Sequence, residues 1–324
     1  MTKDSLLSGA QWNEKEIGVM GDIMLDYYIT GDAERISPEA PTPVVTFTGE
    51  EYVPGGAGNA AYSVAALGAR VSLFGLVGND ASGMRLRSII QERGIDTRGI
   101  VVDEARPTIK KMRIVARGHQ MLRIDREWTS PISRLLERKI LKGMEDRIRE
   151  WDAILISDYA KGMITNHLAH AVIRLAKEYG IPVVVNPKPQ HFTWFRGADI
   201  IIPNAREASV ALGRSVVSRA DAEAAARVIA RQCRAAVVVT RGSEGMTVFD
   251  SKKFSHLPAC AREVADVTGA SDTVSVVVAL GMASGMPLAE AAELANHAAG
   301  VAVSKPGTAT VSLEELRYHI GLHA

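Results

Sequence analysis

The feature that most constrains this chain is a repeated pattern. Short, continuous Val/Ile-rich runs stop at a polar residue or glycine and are separated by stretches of helical spacing. Residues 17–20 stop at Gly21-Asp22, 71–77 at Gly78-Asn79-Asp80, 153–156 at Ser157-Asp158 and 183–185 at Asn186-Pro187-Lys188. Residues 200–202 stop at Pro203-Asn204, and 236–240 run into Arg241-Gly242. Helical spacing fills the intervals at 60–67, 84–93, 167–179, 220–233 and 272–285, with Gly94 and Gly180 as stops. Strands that are apolar throughout are buried on both faces, so the pattern predicts an α/β fold with a mostly parallel central sheet between two helical layers. In such sheets ligands bind beyond the carboxyl ends of the strands, where the polar stops lie.

Two stretches break this rhythm. Residues 27–53 carry Tyr28, Ile29, Val44, Val45 and Phe47 around prolines at 38, 41 and 43. Residues 108–126 alternate, with Ile109, Lys111, Arg113 and Val115 on one face and Met112 and Ile114 on the other. Residues 117–120 read as the hairpin turn between them. Neither stretch contains a helix, so they predict a small antiparallel β lid projecting from the main sheet. On this reading the 324 residues form one domain, 1–324, with a lid at about 27–53 and 108–126. No internal repeat or low-complexity linker is present.

Composition mainly excludes. Lys plus Arg is 38 against 37 Asp plus Glu, a formal charge of +1, which leaves no basic field for nucleic acid or a membrane surface. The longest apolar candidate, 273–282, is too short to span a bilayer. Residues 1–16 lack the apolar core of a signal peptide and read as a polar leader. Cys233 and Cys260 have neither metal nor disulfide-framework spacing, so a cytoplasmic location is expected. No Walker P-loop, protein-kinase signature, H-E-x-x-H, CxxC or G-x-S-x-G is found.

Five motifs carry chemistry. Gly55-Gly56-Ala57-Gly58-Asn59 runs into a helix, where glycines permit close backbone approach to a ligand and the helix start offers free N–H groups. Gly56-x-Gly58-x-x-Ala61 also satisfies a lax dinucleotide fingerprint, but it follows an irregular segment instead of opening a first βα turn. Asp266-Val267-Thr268-Gly269-Ala270-Ser271-Asp272 precedes an apolar helix. It sets backbone amides and a carboxylate at one helix start, which reads either as capping or as an anion hole beside a base. Asn204 and Glu207 can face one point from another helix start, as a capping box or as outer ligands holding water on Mg²⁺. Thr240-Arg241-Gly242 with Gly245 forms a polar turn at a strand end. Asn296, followed by small residues, suits a flat aromatic slot or plain helix packing.

Taken in order, these residues resemble the ribokinase/PfkB family of sugar kinases along the whole chain. Gly55-Gly56 with Asn59 resembles the N-terminal signature, residues 266–272 the D-x-T-G-A-G-D signature, and Asn204-x-x-Glu207 the N-x-x-E motif. Finer segments, GDIMLD at 21–26, RISPEAP at 35–41, SDYAKG at 157–162, NPK at 186–188 and GTATVS at 307–312, resemble the heptose 7-phosphate 1-kinases within it. Two positions depart from the pattern. Ser271 replaces a signature glycine, and Asn186 replaces the aspartate of a family D-P-K.

The resemblance implies a ribokinase-like fold and ATP-dependent phosphorylation of a sugar phosphate, here a heptose 7-phosphate at O1, on the route to ADP-heptose and lipopolysaccharide. It implies Asp272 as base, with the amides around Gly269, Ala270 and Ser271 as anion hole. Asp22, Gly55, Gly56, Asn59 and Asp158 would hold the sugar, and Lys111, Arg113, Arg123, Lys161 and Lys188 would hold its distal phosphate. Thr240, Arg241, Gly242, Gly245 and Asn296 would line the ATP site, with Asn204 and Glu207 reaching Mg²⁺ through water. A potassium ion, where the family has one, would lie at Asp266. Some heptose kinases are fused to a nucleotidyltransferase. A chain of this length is expected to be the kinase alone, paired as a homodimer through the lid. The alternatives are a family kinase for another sugar phosphate or a nucleoside, a nucleotide-dependent oxidoreductase built on Gly56-x-Gly58-x-x-Ala61, and a non-catalytic sensor.

Overall fold

The computed structural model describes residues 12–261 and 264–322. Most of the expected leader, residues 1–11, lies outside them. The chain enters through β1 (Glu16–Gly21), then forms β2 (Ile23–Ile36) and β3 (Pro43–Gly56). The first helical crossovers follow, with α1 (Ala57–Ala66), β4 (Arg70–Gly78), α2 (Ala81–Gln91) and β5 (Asp96–Asp103). After β6 (Lys110–Ala116) and β7 (His119–Arg126) come α3 (Arg134–Glu145), β8 (Ala153–Ser157), α4 (Asn166–Tyr179), β9 (Val183–Asn186) and β10 (Ile200–Ile201). The remainder is α5 (Ala205–Leu212), α6 (Arg219–Cys233), β11 (Ala236–Thr240), β12 (Met246–Phe249), β13 (Phe254–Leu257), α7 (Ala270–Ala283), α8 (Leu288–Val303) and α9 (Leu313–Leu322).

Nine strands form the main sheet in the order β13-β12-β11-β10-β9-β8-β1-β4-β5. Its run from β11 to β5 is parallel. Period-2 alternation divides the apolar residues between two cores. Val184 and Val238 pack to one side, while Val183, Val185, Val237 and Val239 pack to the other. The terminal hairpin β12–β13 is antiparallel and was not anticipated from the sequence. Strand order turns at β1, which pairs with β4 on one side and with β8 on the other. The carboxyl ends of β1 and β8 therefore flank a topological switch point, where α/β sheets open a crevice for ligands.

The second sheet has the order β3-β2-β6-β7 and contains the two segments expected as a lid. The β2–β3 and β6–β7 pairs are antiparallel as expected, but β2 and β6 run parallel, so the sheet is mixed. A parallel pairing needs a long crossover, and the chain from α1 to β5 supplies it. Arg117 and Gly118 both have positive φ (52° and 78°), the geometry of a tight hairpin turn between β6 and β7. Strands β2 and β3 are longer than expected. Their inner ends reach Ile23 and Gly56, which are paired with each other at the edge of the main domain.

Candidate active site

Asp272 lies in the first turn of α7 and is 4% exposed. Three side chains from distant parts of the chain surround its carboxylate. Asn59, on α1, donates from Nδ2 to Oδ2 at 2.9 Å. The Tyr159 hydroxyl meets Oδ1 at 2.7 Å and Oδ2 at 2.9 Å. Asn186, at the end of β9, donates from Nδ2 to Oδ1 at 3.3 Å. Burial pushes the carboxyl pKa up, the Asn59 and Tyr159 hydrogen bonds and the Lys188 charge pull it back, and the net direction is upward. A base whose pKa moves from the ordinary aspartate range toward neutrality is better matched to taking a proton.

The same helix start borders a cavity of about 540 Å³. Ala270, Ser271 and Val274 face it from α7, and Asn296, Ala299, Gly300 and Val303 from α8. Thr240, Gly242, Gly245 and Asn204 close the strand-end side. Met246, Ala259, Cys260 and Val267 add apolar wall that the sequence reading had not identified. The missed wall includes the start of the β12–β13 hairpin, whose signal was a polar Asp250-Ser251-Lys252-Lys253 cluster between two short apolar runs. Arg241 is not part of the wall, and its Nη2 donates to the Glu244 carbonyl at 2.8 Å. Asn296 Nδ2 is held by the Pro258 carbonyl at 2.6 Å. The Ala270 amide is taken by the Val267 carbonyl at 3.3 Å, so of the amides expected in the anion hole it is already partnered. The next first-turn amides have no carbonyl one turn earlier to bond, so the α7 N-terminus presents donors and a partial positive charge between cavity and carboxylate. Gly269, at φ 82°, makes the left-handed turn that sets this geometry.

Asn204 and Glu207 form a complete capping box on α5. The Asn204 amide donates to Glu207 Oε2 at 3.0 Å, and the Glu207 amide donates to Asn204 Oδ1 at 2.8 Å. Glu207 Oε1 also accepts from Lys188 Nζ at 2.6 Å. Asp22 and Asp158 are buried and hold loops together. Asp22 accepts the backbone amides of Tyr159, Lys161 and Met163 at 2.9–3.1 Å. Asp158 accepts the amides of Ala160 and Lys188 and contacts His191 Nδ1 at 2.9 Å. Asp266 accepts from the Thr268 amide and hydroxyl and from the Gly307 amide, tying the segment before α7 to the loop before α9.

A family model described as pfkB family carbohydrate kinase matches residues 14–316. This chain belongs to that family. Among curated relatives, the bifunctional protein HldE of Geobacter metallireducens is 46% identical over 300 residues, covering 92% of this kinase and 61% of that protein. HldE of Caulobacter vibrioides is 46% identical over 307 residues, covering 93% and 62%. The kinase thus spans about three-fifths of the length of these relatives. Among solved structures, Escherichia coli phosphofructokinase-2 in complex with potassium superposes with a TM-score of 0.77 at 19% identity, covering 95% of this chain and 98% of that one. Arabidopsis thaliana ribokinase complexed with ribose and ATP gives 0.74 at 19%, covering 94% and 98%. The fold is ribokinase-like.

Asp26 was not among the expected site residues of the kinase, although it closes the GDIMLD segment. It is 4% exposed and paired with Arg113, whose guanidinium also lies 5.1 Å from the Tyr28 ring centroid. A Cβ on Gly55 would sit 2.3 Å from Asp26 Oδ2, so this carboxylate lies against the glycine pair. The expected phosphate cations are present but already paired. Lys111 meets Asp125 at 3.0 Å and Glu127 at 3.5 Å, Lys161 meets Glu127 at 2.7 Å, and Arg123 meets Asp125 at 3.0 Å. Of the two departures, Ser271 lies inside α7 with negative φ, so the serine brings no left-handed strain. Asn186 places a neutral amide on Asp272 where an aspartate would face it with a second charge. The lax dinucleotide fingerprint follows β3, a strand of the second sheet paired antiparallel to β2, which is not the parallel βαβ setting of a dinucleotide fold.

Proposed function

We propose that the kinase transfers a phosphoryl group from ATP to O1 of D-glycero-β-D-manno-heptose 7-phosphate. The observation that carries this reading is one helix start with a cavity on one side and a buried carboxylate on the other, because phosphoryl transfer needs a positioned acceptor and stabilisation of the transferring group. The heptose assignment is supported by the finer sequence segments and by 46% identity to relatives named bifunctional protein HldE.

In this reading the adenine occupies the apolar cavity between Met246, Cys260 and α8. The α7 amides face the transferring phosphoryl group. Asp272 takes the anomeric proton, while O1 bonds to the γ-phosphorus and the bond to ADP breaks. Among the described residues no group of three or more His, Cys, Asp or Glu side chains is placed to hold a metal, so Mg²⁺ would be held chiefly by phosphates and water. Glu207 keeps lone pairs beyond its two bonds and can accept such a water. Bound magnesium neutralises phosphate charge. Asp266 already accepts three donors, so a potassium ion here would rely mostly on backbone carbonyls. No step of the reaction is assigned to it.

The distal phosphate is assigned to Lys111, Lys161 and Arg113. Pairing of two copies is assigned to the second sheet, with one change in its surface. Ile109 is buried and Ile114 half-buried, while Ile36, Phe47, Leu122 and Ile124 are each about half exposed or more. Sedimentation at micromolar concentration should report a dimer that a Phe47→Asp, Leu122→Asp pair dissolves. A cytoplasmic location is consistent with the absence, among the described residues, of a helix long and apolar enough to cross a membrane. The deciding experiment supplies Mg-ATP and a panel of sugar phosphates, free sugars and nucleosides, and follows ADP and new ³¹P signals. A new anomeric phosphate on the heptose 7-phosphate supports the reading. Turnover of another acceptor alone would replace the substrate.

A further inference from the structure

The carboxylate of Asp272 is held entirely by uncharged donors, and the central one is Tyr159. We propose that Tyr159 is a positioning residue that presents Asp272 to the acceptor and must give up part of the carboxylate when the acceptor hydroxyl arrives. This rests on the reading of Asp272 as base.

Tyr159 lies just past β8, and its own amide is fixed by the buried Asp22. Its ring lies under the Lys188 ammonium, 5.1 Å from the centroid. Burial and the adjacent Asp272 charge hold the phenol well above its usual pKa, so it keeps its proton and acts as a donor. That hydroxyl reaches both carboxylate oxygens, 2.7 and 2.9 Å away. With Asn59 on Oδ2 and Asn186 on Oδ1, three donor groups occupy a group with about four lone-pair sites. An acceptor hydroxyl approaching the base meets a carboxylate that is almost fully spoken for. The phenol is the donor most like an acceptor hydroxyl, an O–H directed at the same oxygens. It keeps the side chain in one orientation without supplying a competing proton. In the reaction the acceptor O–H bond breaks, its proton goes to Asp272, its oxygen bonds to phosphorus, and ADP leaves with the electron pair of the broken P–O bond.

The charged groups facing this pair come from several elements. Lys188, following β9, favours the ionised carboxylate, and Glu207, on α5, opposes it. The charge of Asp26, on β2, acts on the Tyr159 phenol in the same direction as that of Glu207. The Tyr159→Phe variant removes only the hydroxyl and leaves all three charges and the ring in place. Hydrogen bonds to a charged group favour its charged form, so their loss moves Asp272 titration upward, by on the order of one pH unit.

The test has two parts. Carbon-13 titration of the Asp272 carboxyl, by difference against Asp272→Asn, should move up by about one pH unit in Tyr159→Phe, and needs no substrate. The acid limb of kcat/KM should move up by the same amount, with activity recovering at alkaline pH. In the Asp272→Asn background, Tyr159→Phe should cost no further rate, because its effect runs through that carboxylate. Fluorotyrosine placed at position 159, a more acidic phenol and so a stronger donor, should move both readouts down and provides the second variant if Tyr159→Phe folds poorly. An unmoved carboxyl titration, or a rate loss that is constant with pH or persists in the Asp272→Asn background, would overturn the proposal. An Asp272→Asn enzyme with unchanged kcat would instead overturn the base reading itself.

Discussion

The two ends of the proposed acceptor site are built on opposite electrostatic plans. At the proposed reacting end Asp272 is surrounded by neutral donors, the amides of Asn59 and Asn186 and the Tyr159 hydroxyl, so an acceptor hydroxyl would displace only an uncharged donor. At the distal end each cation is matched to a carboxylate, with Lys111 and Lys161 sharing Glu127 and Arg113 held by Asp26. The first end is preorganised. The second is self-neutralised, and on the proposed reading a dianion would compete with carboxylates for cations that are only partly exposed. On the proposed reading the reacting end would exchange one neutral donor, while phosphate recognition would exchange charged partners.

The largest test of this contrast is Asp272→Asn. Loss of a general base should lower kcat by roughly 10²–10⁴-fold, with KM changed little and the fold intact by thermal melting. An unchanged kcat would remove the base and with it the contrast. Next, Lys161→Ala or Lys111→Ala should raise KM for the phosphorylated sugar by about tenfold to a hundredfold, as expected for losing a charged hydrogen bond. The unphosphorylated sugar should respond far less, and equal losses on both would take that lysine out of the phosphate site. Gly269→Ala strains a left-handed turn at the rigid end and should cost about 1–2 kcal/mol of stability, read as a lower melting temperature. The mildest effect belongs to Glu127→Gln. It frees Lys161, leaves Lys111 to Asp125 alone, and should lower KM for the phosphorylated sugar by a few-fold at low salt, fading as salt is added. A rise in KM would mean that Glu127 orients the lysines and does not compete for them.

How much of this was legible in the sequence follows the physics of burial. Strands apolar on both faces announced themselves, and β1, β4, β8, β9 and β11 lie within a residue or so of the expected ranges. The β12–β13 hairpin did not, because its strands are four residues each and β13 is half-buried throughout. The parallel pairing of β2 with β6 was hidden because its register joins segments far apart in sequence. At the site, Asp272 was readable because the glycine turn and helix start are local. Its partners Tyr159 and Asn186 lie 113 and 86 residues away, and only the fold brings them together. The basic residues could be named, but their ion pairs could not.

The glycine pair at the pocket ends a strand of 14 residues whose other end lies on the exposed surface of the second sheet. At about 3.3 Å per residue β3 is a strut of roughly 45 Å. Register shifts interrupt its pairing with β2 only in the outer half, at Thr30/Gly31 and Ala33/Arg35, and the inner half from Thr30 to Ile23 is continuous. One uninterrupted stretch of ladder therefore fixes Gly55 and Gly56 on β3 against Asp26 on β2 at the pocket, and both irregularities are kept to the half that carries Phe47.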